Sequence, residues 1–310
     1  MAIVFLGSEA LDRKQVTWGQ LRRHYRAIYP DVYLPVIAEP SLYANTVGAW
    51  LWSKRRGPIT GRAAAALHGA KWVAETTPVE IMWTNNRPPP GIITRDNHFL
   101  YDDVMEMDGM AVATPQRAAY DLARFLPRDQ AVAHLDALAG ATGLAADHVA
   151  PLIHRYKGAR GIRGLRAAVD LMDGGAQSPK ETWLRLLLID AGYPRPRTQI
   201  PLLDDWGSEF AFLDMGWEDV RIAVEYDGDQ HRTDRRQYAW DVKRLRLVAE
   251  HDWLHVKVIA EDRPRDVLER VGQAWAARGV AVPGPQMGDS TSRRASPRRA
   301  PSRRASNHGR

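Results

Sequence analysis

Two hydrophobic runs, Glu209-Phe-Ala-Phe-Leu-Asp214 and Val220-Arg-Ile-Ala-Val-Glu-Tyr-Asp227, place carboxylates inside segments that otherwise belong in a core. Gly216-Trp217-Glu218-Asp219 between them reads as the link of a β-hairpin. Side chains alternate along a strand, so Ile222, Val224 and Tyr226 face one way and Ala223, Glu225 and Asp227 the other. A buried carboxylate without compensation is costly, and two close together raise at least one pKa unless a cation intervenes. Asp214, Glu225 and Asp227 are therefore candidate metal ligands, and an all-oxygen donor set suits Mg²⁺ or Mn²⁺ rather than zinc. From Asp204 to Asp229 there are nine acidic residues and one basic residue, Arg221, which is the competing local partner.

The flanks of these runs carry clear signals. Ser178, Pro179 and Glu181 form the start of a helix with a Ser-x-x-Glu capping box. Trp183, Leu184, Leu187, Leu188 and Ala191 give that helix an apolar face, and Gly192 with Pro194 ends it. Beyond His231 lies a cationic helical pattern with Arg232, Arg235, Arg236, Lys243, Arg244 and Arg246 on one side and Tyr238, Val242, Leu245 and Val248 on the other. The strand 253–259 and a closing helix through Trp275 follow. The fold class is α+β, with a core order α-β-β-β-α-β-α. Acidic metal ligands beside a basic helix suit a phosphodiester substrate, since the metal activates water while Arg and Lys hold phosphates. The plainer account of the basic helix is a salt-bridged face, for example Asp241 with Arg244.

Asp173-Gly174-Gly175-Ala176-Gln177 separates this half from an Ala-rich first half. There, residues 16–27 read as a helix bearing Arg22, Arg23 and Arg26, followed by two extended pieces around a turn within 28–35. A basic helix and then a small hairpin resembles the end of a winged helix, which makes the three arginines candidate DNA contacts. Residues 61–69 form a small-residue helix in which His68 is read as a packed core histidine. Residues 79–83 and 91–94 read as strands, and 116–125 and 129–139 as amphipathic helices.

Charge and composition narrow the classes. The 310 residues include 43 Lys and Arg against 37 Asp and Glu, a net charge of +6. From Asp289 onward there are seven Arg and one Asp, so the remainder is formally neutral and the basicity belongs to the tail. Its R-R-A repeats carry almost no apolar residues, which predicts a disordered arm able to sit on nucleic-acid phosphates. No cysteine is present, which excludes disulfides, thiolate metal sites and a Cys nucleophile. No apolar run approaches the ~18 residues of a membrane span. The opening segment lacks a secretory pattern, so a cytoplasmic location is expected.

The succession Ser178-Pro-Lys-Glu181, Arg185-Leu-Leu-Leu, Ala-Gly192-Tyr-Pro, Leu213-Asp214, Val224-Glu225-Tyr-Asp227-Gly228, His231, Asp241-x-x-Arg244 and Trp253 resembles the very-short-patch-repair-like endonuclease domain of the PD-(D/E)XK superfamily. The resemblance covers roughly residues 176–272. Ahead of such domains a region similar to AbiEi-type antitoxin winged helices is often found, and residues 1–175 match this more loosely. The resemblance implies that Asp214 and Glu225 hold Mg²⁺, that His231 contacts a phosphate or leaving group, and that Glu181 supports the metal. Asp227 stands where the superfamily motif usually has Lys, as in other members of the subfamily, which leaves the general base unassigned.

The expected domains are a winged-helix-like region (1–60), a mixed α/β connecting region (61–175), the endonuclease-like domain (176–282) and the basic tail (283–310). The expected activity is metal-dependent cleavage of DNA in repair or defence. The alternative is a non-catalytic, antitoxin-like DNA-binding transcriptional regulator, and a scaffold acting through protein partners is a third class. DNA is the expected partner, with a protein partner or homodimer left open.

Overall fold

A computed structural model describes residues 4–85, 87–203, 206–228, 244 and 246–281. The Arg-rich tail, His231, Arg235, Arg236, Asp241 and Lys243 lie outside the described residues. Among the described residues no helix is long and apolar enough to cross a membrane.

The chain opens with β1 (Phe5–Leu6), α1 (Gly7–Asp12) and α2 (Trp18–His24), then β2 (Tyr25–Tyr29) and β3 (Val32–Pro35). β3 pairs antiparallel with both β1 and β2, giving the sheet order β1-β3-β2. α2 is shorter at both ends than the sequence suggests. Thr17 and Gln20 close a reciprocal capping box that fixes its start at Trp18. Its end comes at His24 because Tyr25, Ile28 and Tyr29 favour extended backbone, and Tyr25, Arg26, Ala27 and Tyr29 pair with β3 around an irregularity at Ile28. Arg26, expected on the helix, therefore lies on β2. The β2–β3 turn puts Asp31 at φ +63°, and its carboxylate accepts from the Ser8 amide at 2.8 Å, tying the hairpin to α1.

α3 (Leu42–Trp52) leads to a five-stranded sheet of order β6-β5-β4-β8-β7. Its members are β4 (Ile59–Thr60), β5 (Val79–Met82), β6 (Ile92–Arg95), β7 (Val104–Met107) and β8 (Met110–Ala113), with α4 (Gly61–Leu67) inserted after β4. Helices α5 (Pro115–Phe125), α6 (Arg128–Thr142), α7 (Ala146–Arg155) and α8 (Ile162–Asp170) follow. One core runs from Tyr29 and Val32 through Ile59, Ile81, Tyr120 and Leu135 to Leu165, so the opening hairpin and the five-stranded sheet share a single interior. His68 is half-buried with Nε2 2.8 Å from the Ala113 carbonyl oxygen, as a packed histidine should be.

Inside this core lies a fully buried ionic group. Arg117 donates through Nε to Asp121 at 2.9 Å and through Nη1 to Asp103 at 2.9 Å and the His98 carbonyl at 3.0 Å. Thr60 donates to Asp121 at 2.7 Å, and Tyr156 donates to Asp103 at 2.6 Å.

The second half begins with α9 (Pro179–Asp190) and continues with β9 (Arg197–Leu203), β10 (Glu209–Trp217) and β11 (Ile222–Asp227). After a helical stretch at 246–250 come β12 (Leu254–Ile259) and α10 (Pro264–Ala277). The sheet order is β12-β11-β10-β9, with β9, β10 and β11 antiparallel and β12 parallel to β11. The hairpin turn falls at 218–221, past the glycine expected to form it, because β10 continues to Trp217. Gly216 is instead a point of close approach: a Cβ there would lie 2.4 Å from the Ile222 carbonyl oxygen.

One face of this sheet packs Met215, Trp217, Ile222 and Val224 against Leu184 and Leu188 of α9 and Val267, Val271 and Trp275 of α10. On the other face Ala223 reaches Val248, in a second cluster that also includes Leu213. Leu186 of the same α9 belongs to the first core. Beside it, Asp136 of α6 accepts from the Asp173 amide, Thr182 and Arg185 at 2.7–2.8 Å, and Arg185 also donates to the Leu171 carbonyl. Asp136 and Arg185 are both fully buried.

Candidate functional site

The acidic pair takes its place from strand register. Antiparallel pairing of Met215 with Val224 and Gly216 with Ala223 carries Asp214 opposite Glu225. Glu225 follows Ala223 on the face away from Ile222 and Val224, as alternation requires. The Tyr226 amide donates to Oδ2 of Asp214 at 3.1 Å, which fixes that side chain across the strand pair.

Glu225 is 7% exposed. Arg244 donates to it through both terminal nitrogens, Nη1 at 2.9 Å, and also donates to the Phe212 carbonyl; His255 Nε2 lies 2.7 Å away. Burial by itself would raise its pKa, but the His255 and Arg244 contacts override this and hold it at about 2. Asp214 goes the other way. Burial first, then repulsion from Glu225 and Glu181, pushes it to about 7 against the pull of the Tyr226 amide and Arg244.

Glu181 serves two ends at once. It caps the start of α9 in a variant of the expected capping box: its amide donates to Ser178 Oγ, while its carboxylate accepts from Ser178 Oγ at 2.9 Å and from the Gln177 amide at 2.8 Å rather than from the Ser178 amide. It also stands within electrostatic reach of the pair, and burial foremost, with the charge of Glu225, raises its pKa.

Several sequence expectations change here. Asp227 does not join the pair; its carboxylate is 2.7 Å from Nζ of Lys257. Among the described residues no three His, Asp or Glu side chains converge closely enough to hold a metal ion. Arg221, the expected rival for Glu225, turns away at φ +49° and approaches Asp252 at 3.7 Å and the His251 carbonyl at 3.3 Å. Arg244, expected among the DNA contacts, is bound to Glu225 instead. His255 and Lys257, which the sequence reading passed over, stand at alternate positions of β12, the same signal that marked Glu225 and Asp227.

The N-terminal surface has a different character. Arg22 and Arg23 are exposed on α2 and make no ion pair among the described residues, while Trp18 at its start is 63% exposed. Arg26 is half-buried on β2, and its Nη2 donates to the Ala38 carbonyl at 2.5 Å, so it braces the hairpin rather than extending the basic helix.

Residues 59–174 match the family model of the AbiEi antitoxin C-terminal domain. The match covers the five-stranded sheet and α4 to α8, the region that the sequence reading treated as a connector, and does not include the opening hairpin. Two proteins of Mycobacterium tuberculosis, uncharacterized protein Rv2248 of strain H37Rv and uncharacterized protein MT2308 of strain CDC 1551, are each 28% identical over 252 residues. Those alignments cover 81% of this chain and 90% of each relative. The chain is thus similar through its middle to the C-terminal domain of AbiEi antitoxins, and over most of its length to the two mycobacterial proteins.

Proposed function

We propose that the chain is an antitoxin-like DNA-binding regulator. The observation that carries this reading is the arrangement of residues 5–35, set one helix ahead of the antitoxin-like segment. A strand, two helices and a hairpin, with the first strand paired to the last, follow the order of a winged helix. Its second helix presents Arg22 and Arg23 to solvent, where a recognition helix would enter the major groove. Arginine is suited to this because its planar fork bonds phosphate oxygens or guanine edges in pairs. The test is binding to duplexes selected from a random pool. The Arg22→Ala/Arg23→Ala double variant is expected to bind about 10- to 100-fold more weakly, with a salt slope shallower by about two. Its unfolding midpoint should not move. Wild-type affinity and slope in the variant would remove α2 from the interface.

A second reading, metal-dependent DNA endonuclease activity in the C-terminal half, is favoured by the opposed Asp214 and Glu225. The strand order between α9 and α10 is compatible with an endonuclease-like core. The donor chemistry fits a hard divalent cation. Asp214 resists ionisation because of burial and two neighbouring carboxylates, and a cation relieves that penalty. Asp214 and Glu225 would hold Mg²⁺ or Mn²⁺, with Glu181 behind them, and the ion would supply an activated water and charge stabilisation at the phosphate. Arg244, which in the present arrangement provides the positive charge on Glu225, must yield part of that carboxylate. Supercoiled plasmid incubated with Mg²⁺, Mn²⁺ or EDTA provides the test. Nicking or linearisation is expected only with metal, and intact plasmid in all three leaves the regulator reading alone.

A further inference from the structure

Strand β12 lays two basic side chains along the acidic face of β11. The parallel register pairs Ala223 with His255 and Glu225 with Lys257, so both basic residues stand on the side of Glu225 and Asp227. Their situations differ. The His255 side chain is 15% exposed and engaged with Glu225 in the interior, where Arg244 also contributes. The Lys257 side chain is 52% exposed and meets only the rim of the site, with Nζ 2.7 Å from Oδ2 of Asp227, itself 32% exposed. Arg270 donates to the Lys257 backbone carbonyl at 2.7 Å, which holds the strand in place beneath the side chain. A second lysine, Lys180 of α9, places its ammonium 5.8 Å from the centre of the Tyr226 ring. The two residues that end β11 are thus each covered by a lysine.

An ion pair this exposed contributes little to stability, so the fold alone gives little reason for a lysine at this position. A phosphodiester approaching Asp214 and Glu225 would meet these two carboxylates and, among the described residues, Asp227 at the rim and Glu181 behind them, and needs a cation that can leave its present partner. Lys257 is exposed and its partner is only half-buried, so that pair can exchange, whereas Arg244 and His255 share the buried Glu225.

We infer that Lys257 is a phosphate-contact residue of the carboxylate site, exchanging its ion pair with Asp227 for one with a nucleic-acid backbone. The inference rests on the endonuclease reading for where the substrate lies. A labelled duplex titrated by fluorescence anisotropy in EDTA across a range of salt concentrations provides the test, because each phosphate contact adds its own increment to the salt slope whatever other surfaces bind. Lys257→Met is expected to weaken binding about fivefold to tenfold and to reduce the slope by about one. Lys257→Arg should restore both, and Asp227→Asn should tighten binding. Wild-type affinity and slope in Lys257→Met overturn the inference. Parallel plasmid assays with Mn²⁺ separate the two ideas. If plasmid is cut and Lys257→Met keeps the full slope, the lysine assignment falls and the nuclease stands. If plasmid is never cut while the slope loss persists, the nuclease falls and the phosphate contact stands.

Discussion

Arg117→Met is expected to lower stability by about 3–5 kcal/mol, a third or more of what a domain of ordinary stability has. Methionine nearly fills the volume, so the loss is electrostatic rather than a matter of packing. Removing the guanidinium leaves Asp103 and Asp121, both almost fully buried, without their shared cation. Asp103 keeps Arg155 and Tyr156, but Asp121 is left with Thr60 and a more distant Arg124. Burial already pushes the Asp121 carboxyl upward with Arg117 in place, and without it the group must fold protonated or pay the full desolvation penalty. Adding Asp121→Asn to the variant should recover part of the loss, since the second change removes the stranded charge. Urea denaturation followed by far-UV circular dichroism measures both. A loss below about 1 kcal/mol would mean that the three groups form no coupled network.

Asp214→Asn should act in opposite directions on stability and on chemistry. In the folded chain Asp214 titrates at about 7 against an ordinary value of 3.8. Below pH ~4 both states hold the proton; as pH rises toward 7 the unfolded chain releases it first, so folding stability declines over that window and then levels. The shift corresponds to about 2–4 kcal/mol once coupling to Glu225 is allowed for. Glu225 has the contrary sign: held at about 2 against 4.5, its contribution is present above 4.5 and lost as pH falls through 2. Asparagine cannot ionise, so in EDTA at pH 8 the variant should be the more stable protein, with a flatter profile between pH 4 and 7. On the endonuclease reading, plasmid cleavage with Mn²⁺ should fall at least ~100-fold in the variant, because a neutral amide is a poor ligand for a hard cation. A variant that is less stable at pH 8 would point to a purely structural carboxylate, and one that still cuts would displace the metal from Asp214.

How far the site was legible depended on the range of the interactions that build it. Helix α9 and the pair Asp214 and Glu225 were readable because capping and strand alternation act over a few residues. The basic partners were not. His255 and Lys257 carry the same alternate-residue signal, but their meeting with Glu225 and Asp227 depends on a parallel register across about thirty residues, which no local pattern specifies. Arg244 shows the same limit: its helical face was readable, but not which side of the sheet that face would cover. In the first half the β7–β8 hairpin went unread although Asp108-Gly109 sits at its turn, at φ +50° and +75°. Methionine-rich flanks masked it, since methionine gives little strand preference. At α2 the basic stripe was real, but the β-forming Tyr25-Arg-Ala-Ile-Tyr29 took Arg26 out of it.

The glycine pair at 174–175 looks from the sequence like a natural place to sever the chain, and the Asp136–Arg185 contact makes it a poor one. A fragment ending there would keep Asp136 with neither Thr182 nor Arg185, and the complementary fragment would carry a guanidinium shaped for an interior it no longer has. Each piece would expose the seam where α9 lends Leu186 to one core and Leu184 and Leu188 to the other. Evolution could not therefore exchange either half as a free module without redesigning that helix. Substitutions at the exposed positions Arg22 and Arg23 of α2, by contrast, touch neither core and leave α9 as it is.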